Sequence, residues 1–287
     1  MDRKILSDSR RQSVIWPRVL TYLVLTIIAL LWVTPIYFSF LTAFKDMHDY
    51  ANQAFYQLPA RFAFFTNIAQ VFKQYKFDDH IISSIFYMVG AGLLCIIFSC
   101  LAAYGIVRLK PRGAFLIFMI IYSGTIFPFQ MYLIPLFKFY NNVGLYNTRL
   151  GMILVFTAIT IPFSLFVYRG FFVTIPREIE DAAKIDGSGP FRTFLLIFVP
   201  QATAPTAVVM LFQWSWIWND LLFGMVLTRS NNVRPIMVAL ASMSGIGGCS
   251  ITLQMTGVIL TSIPTIILFI LLKKYFIEGI SGTTSLK

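Results

Sequence analysis

Residues 175–187 read Ile-Pro-Arg-Glu-Ile-Glu-Asp-Ala-Ala-Lys-Ile-Asp-Gly and gather Arg177, Glu178, Glu180, Asp181, Lys184 and Asp186 between two apolar stretches. A segment this polar offers ion pairing and docking to something in water. The side chains that could do covalent chemistry are scattered by comparison. There is no Gly-x4-Gly-Lys-Ser/Thr loop to cradle ATP, and the serines lack a Gly-x-Ser-x-Gly elbow. His48 and His80 are far apart without metal-ligand spacing, which predicts solvated histidines near the outer surface. The sequence therefore contains neither a catalytic constellation nor a metal site.

The charged segment reads as one short helix. Pro176 suits its first turn, where a missing N–H costs nothing. Glu178, Glu180 and Asp181 face the positive end of the helix dipole, and Lys184 lies nearer the negative end. Ile179, Ala182, Ala183 and Asp186 recur at i, i+3, i+4 and i+7, which predicts a shared face where a partner backbone can approach closely. Gly187 can take positive φ and stop the helix. The apolar face is too small for lipid insertion and the acidic first turn repels anionic lipid, so a protein partner is expected.

The elements around this segment belong in a membrane. The chain has 287 residues, 57% hydrophobic and 12% charged, about half the charge of a soluble domain; its mean hydropathy is +0.75. Uncharged runs cover residues 19–44, 81–107, 113–137, 150–168, 193–219 and 235–272. A crossing needs about 20 helical residues. The first five runs give one crossing each; Gly245, Gly247, Gly248 and Ser250 split the sixth, leaving Ile251 to Leu272. The expectation is an all-α integral membrane protein with six transmembrane helices. Fifteen of the 23 Lys and Arg residues fall on one side of that topology, which places both termini and the charged segment in the cytoplasm. The net charge of +11 is thus a topology signal, and the dispersed basic residues argue against nucleic-acid binding. The first apolar run is too long for a cleaved signal, so a retained span is expected. Cys95 and Cys100 fall on different faces of one helix and, with Cys249, read as packing residues. Pro35, Pro128, Pro135, Pro162, Pro200, Pro205 and Pro264, in or near the spans, suggest irregular helices.

Polar and aromatic residues near the spans are the candidates for a solute path. Gln130 and Gln213 lie within apolar runs and are suited either to line a path or to bond neighbouring helices. Trp214, Trp216 and Trp218 precede Asn219 and Asp220; their rings can stack on sugars, but anchoring or packing is the commoner use.

Asp181-Ala182-Ala183, three residues, Gly187, nine residues, Ile197, one residue and Val199-Pro200 resemble the cytoplasmic EAA loop of ABC-importer permeases. That pattern opens on Glu and has Leu before its last Pro; Asp181 and Val199 depart from it conservatively. The string from Ile175 to Gly187 is similar to the carbohydrate branch, in particular to maltose-permease MalG-like subunits. So are Pro35 to Lys45, Ala102-Ala-Tyr-Gly105 with Arg108, Ile134-Pro-Leu136, Gly144 to Thr148, Trp218-Asn-Asp220, and Tyr275-Phe276 with Gly279.

The resemblance implies a type I ABC-importer transmembrane domain over residues 19–287, after a cytoplasmic tail at 1–18. It makes residues 174–193 a coupling loop and 45–80 an external segment. Glu178, Glu180, Asp181, Ala182, Ala183, Asp186 and Gly187 are its expected ATPase-coupling residues, and Gln130, Gln213, Trp218 and Asn219 its candidate path residues. The implied partners are a MalF-like second permease, a dimeric ABC ATPase, an extracytoplasmic solute-binding protein and membrane lipid. ATP and Mg are used by the ATPase, and this chain binds no cofactor. The expected function is import of a sugar or oligosaccharide. An importer for another solute such as glycerol phosphate is the alternative, ahead of an ion-coupled carrier, for which the clean apolar runs lack interior charges; a membrane enzyme ranks third.

Overall fold

The computed structural model describes residues 2–243 and 250–281, which leaves Gly245, Gly247, Gly248, Cys249 and Lys287 outside the described residues. The described residues are helices joined by turns. They form two compact units, residues 1–71 with 246–260, and residues 72–245 with 261–287.

In the first unit, helix α1 runs without a break over Asp2–Phe44, so the expected polar tail continues the first span as helix. Residues 18–44 are long and apolar enough to cross a bilayer. Thr26, Thr34 and Ser39 donate back to the carbonyls of Tyr22, Leu30 and Pro35, which spares their hydroxyls a cost in lipid. Past α1, Asn67 on α3 (Phe64–Tyr75) donates to the carbonyls of Ala43 and Lys45, both at 2.9 Å. Asp46 caps α2 (Met47–Asn52) through the Asp49 N–H, and the Asp49 carboxylate accepts from the Ala60 and Arg61 amides. Phe44 meets the rings of Phe62 and Phe64. The aromatic residues of the external segment thus fold onto the end of the first span.

In the second unit, α4 (Phe77–Tyr104) and α7 (Arg149–Thr174) form the backbone of the bundle. Tyr87 meets Phe156, Cys95 donates to Ser164, and Arg108 just beyond α4 reaches Phe172 and Ile175. Contacts that advance together along both chains mean the helices run in the same direction. Ala91, Cys95, Ser99, Thr160 and Ser164 are buried where they pack, small residues of the kind that let membrane helices approach. Cys95 and Cys100 are free buried thiols.

Between them, the apolar run 113–137 is not one helix. α5 (Ala114–Ser123) stops after 10 residues, about 15 Å, at Gly124. Extended backbone at Pro128, a 3₁₀ turn (Phe129–Tyr132) and α6 (Leu133–Asn142) follow. Gly124 and Pro128 are the physical cause: one tolerates the end of the helix, and the other cannot supply its next hydrogen bond.

The charged segment is α8 (Arg177–Ile185). The fifth expected crossing follows as two helices, α9 (190–201) and α10 (203–218), bent by 71°. α11 (Leu222–Leu227), α12 (Ile236–Ser242) and α13 (Ile251–Ser281) complete the chain, and α13 begins at the expected residue. Among the described residues, four helices have the length and composition to cross a membrane, and there are five if the bent pair is one span. Of the six expected crossings, the third, residues 113–137, falls on the interrupted α5–α6 stretch. Pro162 and Pro264 sit inside α7 and α13 without ending them, whereas the pair Pro200 and Pro205 flanks the bend.

His80 departs from the sequence expectation of a solvated side chain. His80 is 3% exposed and its Nδ1 lies 3.0 Å from the Arg234 carbonyl, so it is buried rather than solvated. It belongs to a set of side chains that strap down the loop 228–235. Ser83 donates to the Asn232 carbonyl, Tyr87 to that of Val233, and Asn147 Oδ1 accepts from the Arg229 and Ser230 amides. His48 is exposed, as expected.

Candidate functional site

The charged helix α8 is held by local chemistry at both ends. Pro176 precedes its first turn. At the other end Gly187 takes φ +73°, its N–H bonds to the Lys184 carbonyl, and Ser188 N–H reaches back to Ala183 O. This pair of bonds is the Schellman arrangement that Gly at this position allows. On its surface, Lys184 pairs with Asp181 at 3.1 Å and with Glu180 at 3.4 Å. The hydrogen bond to Asp181, with the charge of Glu180, holds the exposed Lys184 ammonium above the usual lysine range.

The residue that mounts α8 on the bundle is Arg108, in a π-helical turn (Gly105–Leu109) that extends α4. Its side chain is 4% exposed. Nη2 donates to the carbonyls of Phe172 at 2.7 Å and Ile175 at 2.6 Å, at the end of α7 where free carbonyls and the helix dipole favour a cation. Nη1 lies 3.8 Å from Glu180 Oε2, and the guanidinium stands over the Phe198 ring at 4.9 Å. One planar cation thus ties α4, α7, α8 and α9 together. Beside it, Tyr104 donates its hydroxyl to the Pro190 carbonyl and packs against Phe194 and Phe198.

This mounting divides the face expected from helical spacing. Ala183 is 6% exposed and turned toward the chain's own bundle, with Glu180 half-buried on the same side. Glu178, Ile179, Asp181, Ala182, Asp186 and Gly187 are exposed, together with Ile185 at 87%. The correction has a simple cause: Arg108 claims Glu180, and Ala183 lies three residues further along that side. Sequence reasoning noticed Arg108 in a family pattern but gave it no role; a lone Arg just past a long apolar run was the available signal.

The four candidate path residues are not gathered into one site. Gln130 is exposed in the 3₁₀ turn before α6, whereas Gln213 is buried in a second π-helical stretch of the fifth crossing (Met210–Trp214). Trp218 is 1% exposed and donates its indole N–H to the Thr261 carbonyl at 2.9 Å, so its ring is packing. Asn219 is exposed and its amide bonds the Ser215 carbonyl at 2.7 Å. It opens on a groove of ≈ 490 Å³ lined also by Phe129, Phe212, Trp216 and Asp220. Asp220 is buried and accepts from the amides of Gly224 at 2.9 Å and Phe223 at 3.4 Å. Burial pushes its carboxyl up to about 6, against the pull of those backbone donors.

A family model described as the binding-protein-dependent transport system inner membrane component matches residues 95–282, from the middle of α4 through α13. The chain belongs to that family. It is a multi-pass inner-membrane protein and a membrane permease subunit of an ABC transporter. Among its relatives, the melibiose/raffinose/stachyose import permease MelC of Bacillus subtilis is 30% identical over 92% of this chain and 95% of that protein. The diacetylchitobiose uptake permease NgcG of Streptomyces coelicolor is 26% identical over 99% and 90%. A probable ABC transporter permease of Pyrococcus horikoshii is 40% identical over a shorter match, 54% of this chain and 57% of that one. Among solved structures, a chain of a bacterial ABC transporter involved in import of the polysaccharide alginate superposes with a TM-score of 0.80. That match covers 90% of this chain and 95% of the other at 24% identity, which supports the ABC-importer permease fold.

Proposed function

We propose that this permease is the MalG-like membrane subunit of an ATP-driven importer of a sugar or oligosaccharide, with both termini in the cytoplasm. The relatives MelC and NgcG, named for oligosaccharide uptake, support the substrate class. The observation that carries the coupling role is the geometry of α8: an exposed acidic outer face on a helix tied by Arg108 to three neighbouring elements. In this reading, residues 174–193 are the coupling loop. A separate dimeric ATPase that binds ATP and Mg docks on Glu178, Asp181, Ala182, Asp186 and the turn at Gly187. Its closure moves α8, Arg108 carries α4, α7 and α9 with it, and the bend at Ala202 lets the outer half of the fifth crossing respond differently. Rigid-body rotation of that kind is an established switching mode. A MalF-like permease supplies the other half of the path. A solute-binding protein docks on the external side, where residues 45–80 and the strapped loop 228–235 offer ordered surface. Gln130, Gln213 and Asn219 are the polar contributions this subunit makes to the path.

A second reading, import of another small solute, has one specific support: an osmoprotective-compound uptake permease of Synechocystis is 25% identical over 96% of this chain. One experiment tests coupling and substrate together. A cysteine at Ala182 or Ile185 is crosslinked in intact cells, and uptake of labelled oligosaccharides is measured in the same strain. Capture of an ATPase with oligosaccharide uptake is the expected result; an ATPase never captured from either position would overturn the coupling role.

A further inference from the structure

A groove of ≈ 370 Å³ opens where α4 and α7 end, and four cations line it: Arg108, Lys110, Arg169 and Arg177. No carboxylate is among its lining residues. Arg108 alone has an acidic neighbour, Glu180, and among the described residues Lys110, Arg169 and Arg177 form no ion pair. Arg169 is aimed by the ring of Phe118, with its guanidinium 4.4 Å above it. Arg108 adds a buried Nε–H without an acceptor among the described residues. Like charges gathered this closely repel unless a counter-charge joins them.

The walls indicate which anion fits. Phe115 and Val173 line the groove and are 69% and 60% exposed, an apolar flank beside the cations. A small soluble phosphate has no use for that flank. A molecule with an anionic head and hydrocarbon tails satisfies both parts at once, and basic pockets between membrane helices take such heads. We infer that this groove binds the headgroup phosphate of an anionic phospholipid from the surrounding leaflet. Through Arg108 and Arg177 the lipid would bear on the mounting of α8, so that leaflet composition stiffens the joint between bundle and charged helix. The site stands on its own residues and does not depend on what docks against α8.

The test uses the full-length chain, with any subunits that accompany it, in nanodiscs of phosphatidylcholine containing a minority of phosphatidylglycerol. Retained lipid is then counted by native mass spectrometry. Wild type should keep phosphatidylglycerol in preference to phosphatidylcholine. Lys110→Gln and Arg177→Gln, both at exposed positions compatible with folding, should each weaken that retention about fivefold. Arg192→Gln, an exposed cation outside the groove, should leave it unchanged. Equal retention of both lipids, or equal loss in Arg192→Gln, would mean diffuse attraction and overturn the site. Displacement of the lipid by millimolar inorganic phosphate would make it a soluble-anion site and overturn the lipid assignment.

Discussion

At the scale of single residues, two charges are set by their surroundings in opposite ways. Arg108 is buried yet keeps its charge compensated, because α7 presents two terminal carbonyls and α8 one carboxylate to its Nη groups, with Nε–H alone left without an acceptor among the described residues. Arg108→Gln should destabilise the chain by about 3 kcal/mol, the lower end for a broken buried ion pair since Glu180 keeps some contact with water. Arg108→Lys should not rescue it, for a single ammonium cannot serve carbonyls, carboxylate and ring in one plane. Thermal unfolding in detergent measures both. Asp220 is the reverse case, a carboxyl whose folded-state pKa stands at about 6, above its ordinary 3.8. The folded state therefore holds its proton longer, so stability should fall as pH rises from about 4 to about 6 and level off above, by up to about 3 kcal/mol. Asp220→Asn keeps an oxygen for the Gly224 amide and should flatten that slope. A denaturant series across this pH range checks it, and an unchanged slope would reject the assignment.

At the scale of elements, the Gly187 stop and the packing of α4 carry distinct costs. Gly187 has positive φ but open space where a Cβ would go. Gly187→Val should therefore cost about 1–2 kcal/mol through backbone strain alone, leaving the chain inserted while substrate-linked ATP hydrolysis is lost. Full transport by this variant would argue against α8 as the handle. Gly92 has ordinary φ, yet a Cβ there would land on the Trp214 indole. Gly92→Ala should cost about 1–3 kcal/mol by overpacking, visible as a lower unfolding midpoint. The long apolar runs, the start of α13 and the stop at Gly187 were legible in the sequence, because hydrocarbon thickness and helix-end chemistry act locally. The interruption at Gly124 and Pro128 was written in the same letters, but a run without charges hides whether its backbone stays helical. The burial of His80, the inward turn of Ala183 and the four-way grip of Arg108 depend on residues 64 to 154 positions away, which no periodicity reports.

At the scale of the whole molecule, the permease has one mounted helix at the end where α4 and α7 finish and one bent crossing leading away from it. If Arg108 transmits force, an Arg108→Gln complex that still captures its ATPase should hydrolyse ATP with less solute carried per nucleotide. Reconstituted uptake alongside phosphate release reads that ratio. An unchanged ratio would leave Arg108 a matter of stability alone. The wide turns at Gly105–Leu109, Phe194–Phe198 and Met210–Trp214 add a consequence of another kind. Each accommodates one residue more than an ordinary turn, so each acts as a vernier notch that resets the phase of everything after it. Deleting a single residue from Met210–Trp214 should let that notch close to an ordinary turn and leave the following side chains facing as before, whereas the same deletion in regular helix swings them by about 100°. Trp218 should then keep its grip on Thr261 after the first deletion and lose it when the residue is removed instead from the regular helix at 215–217.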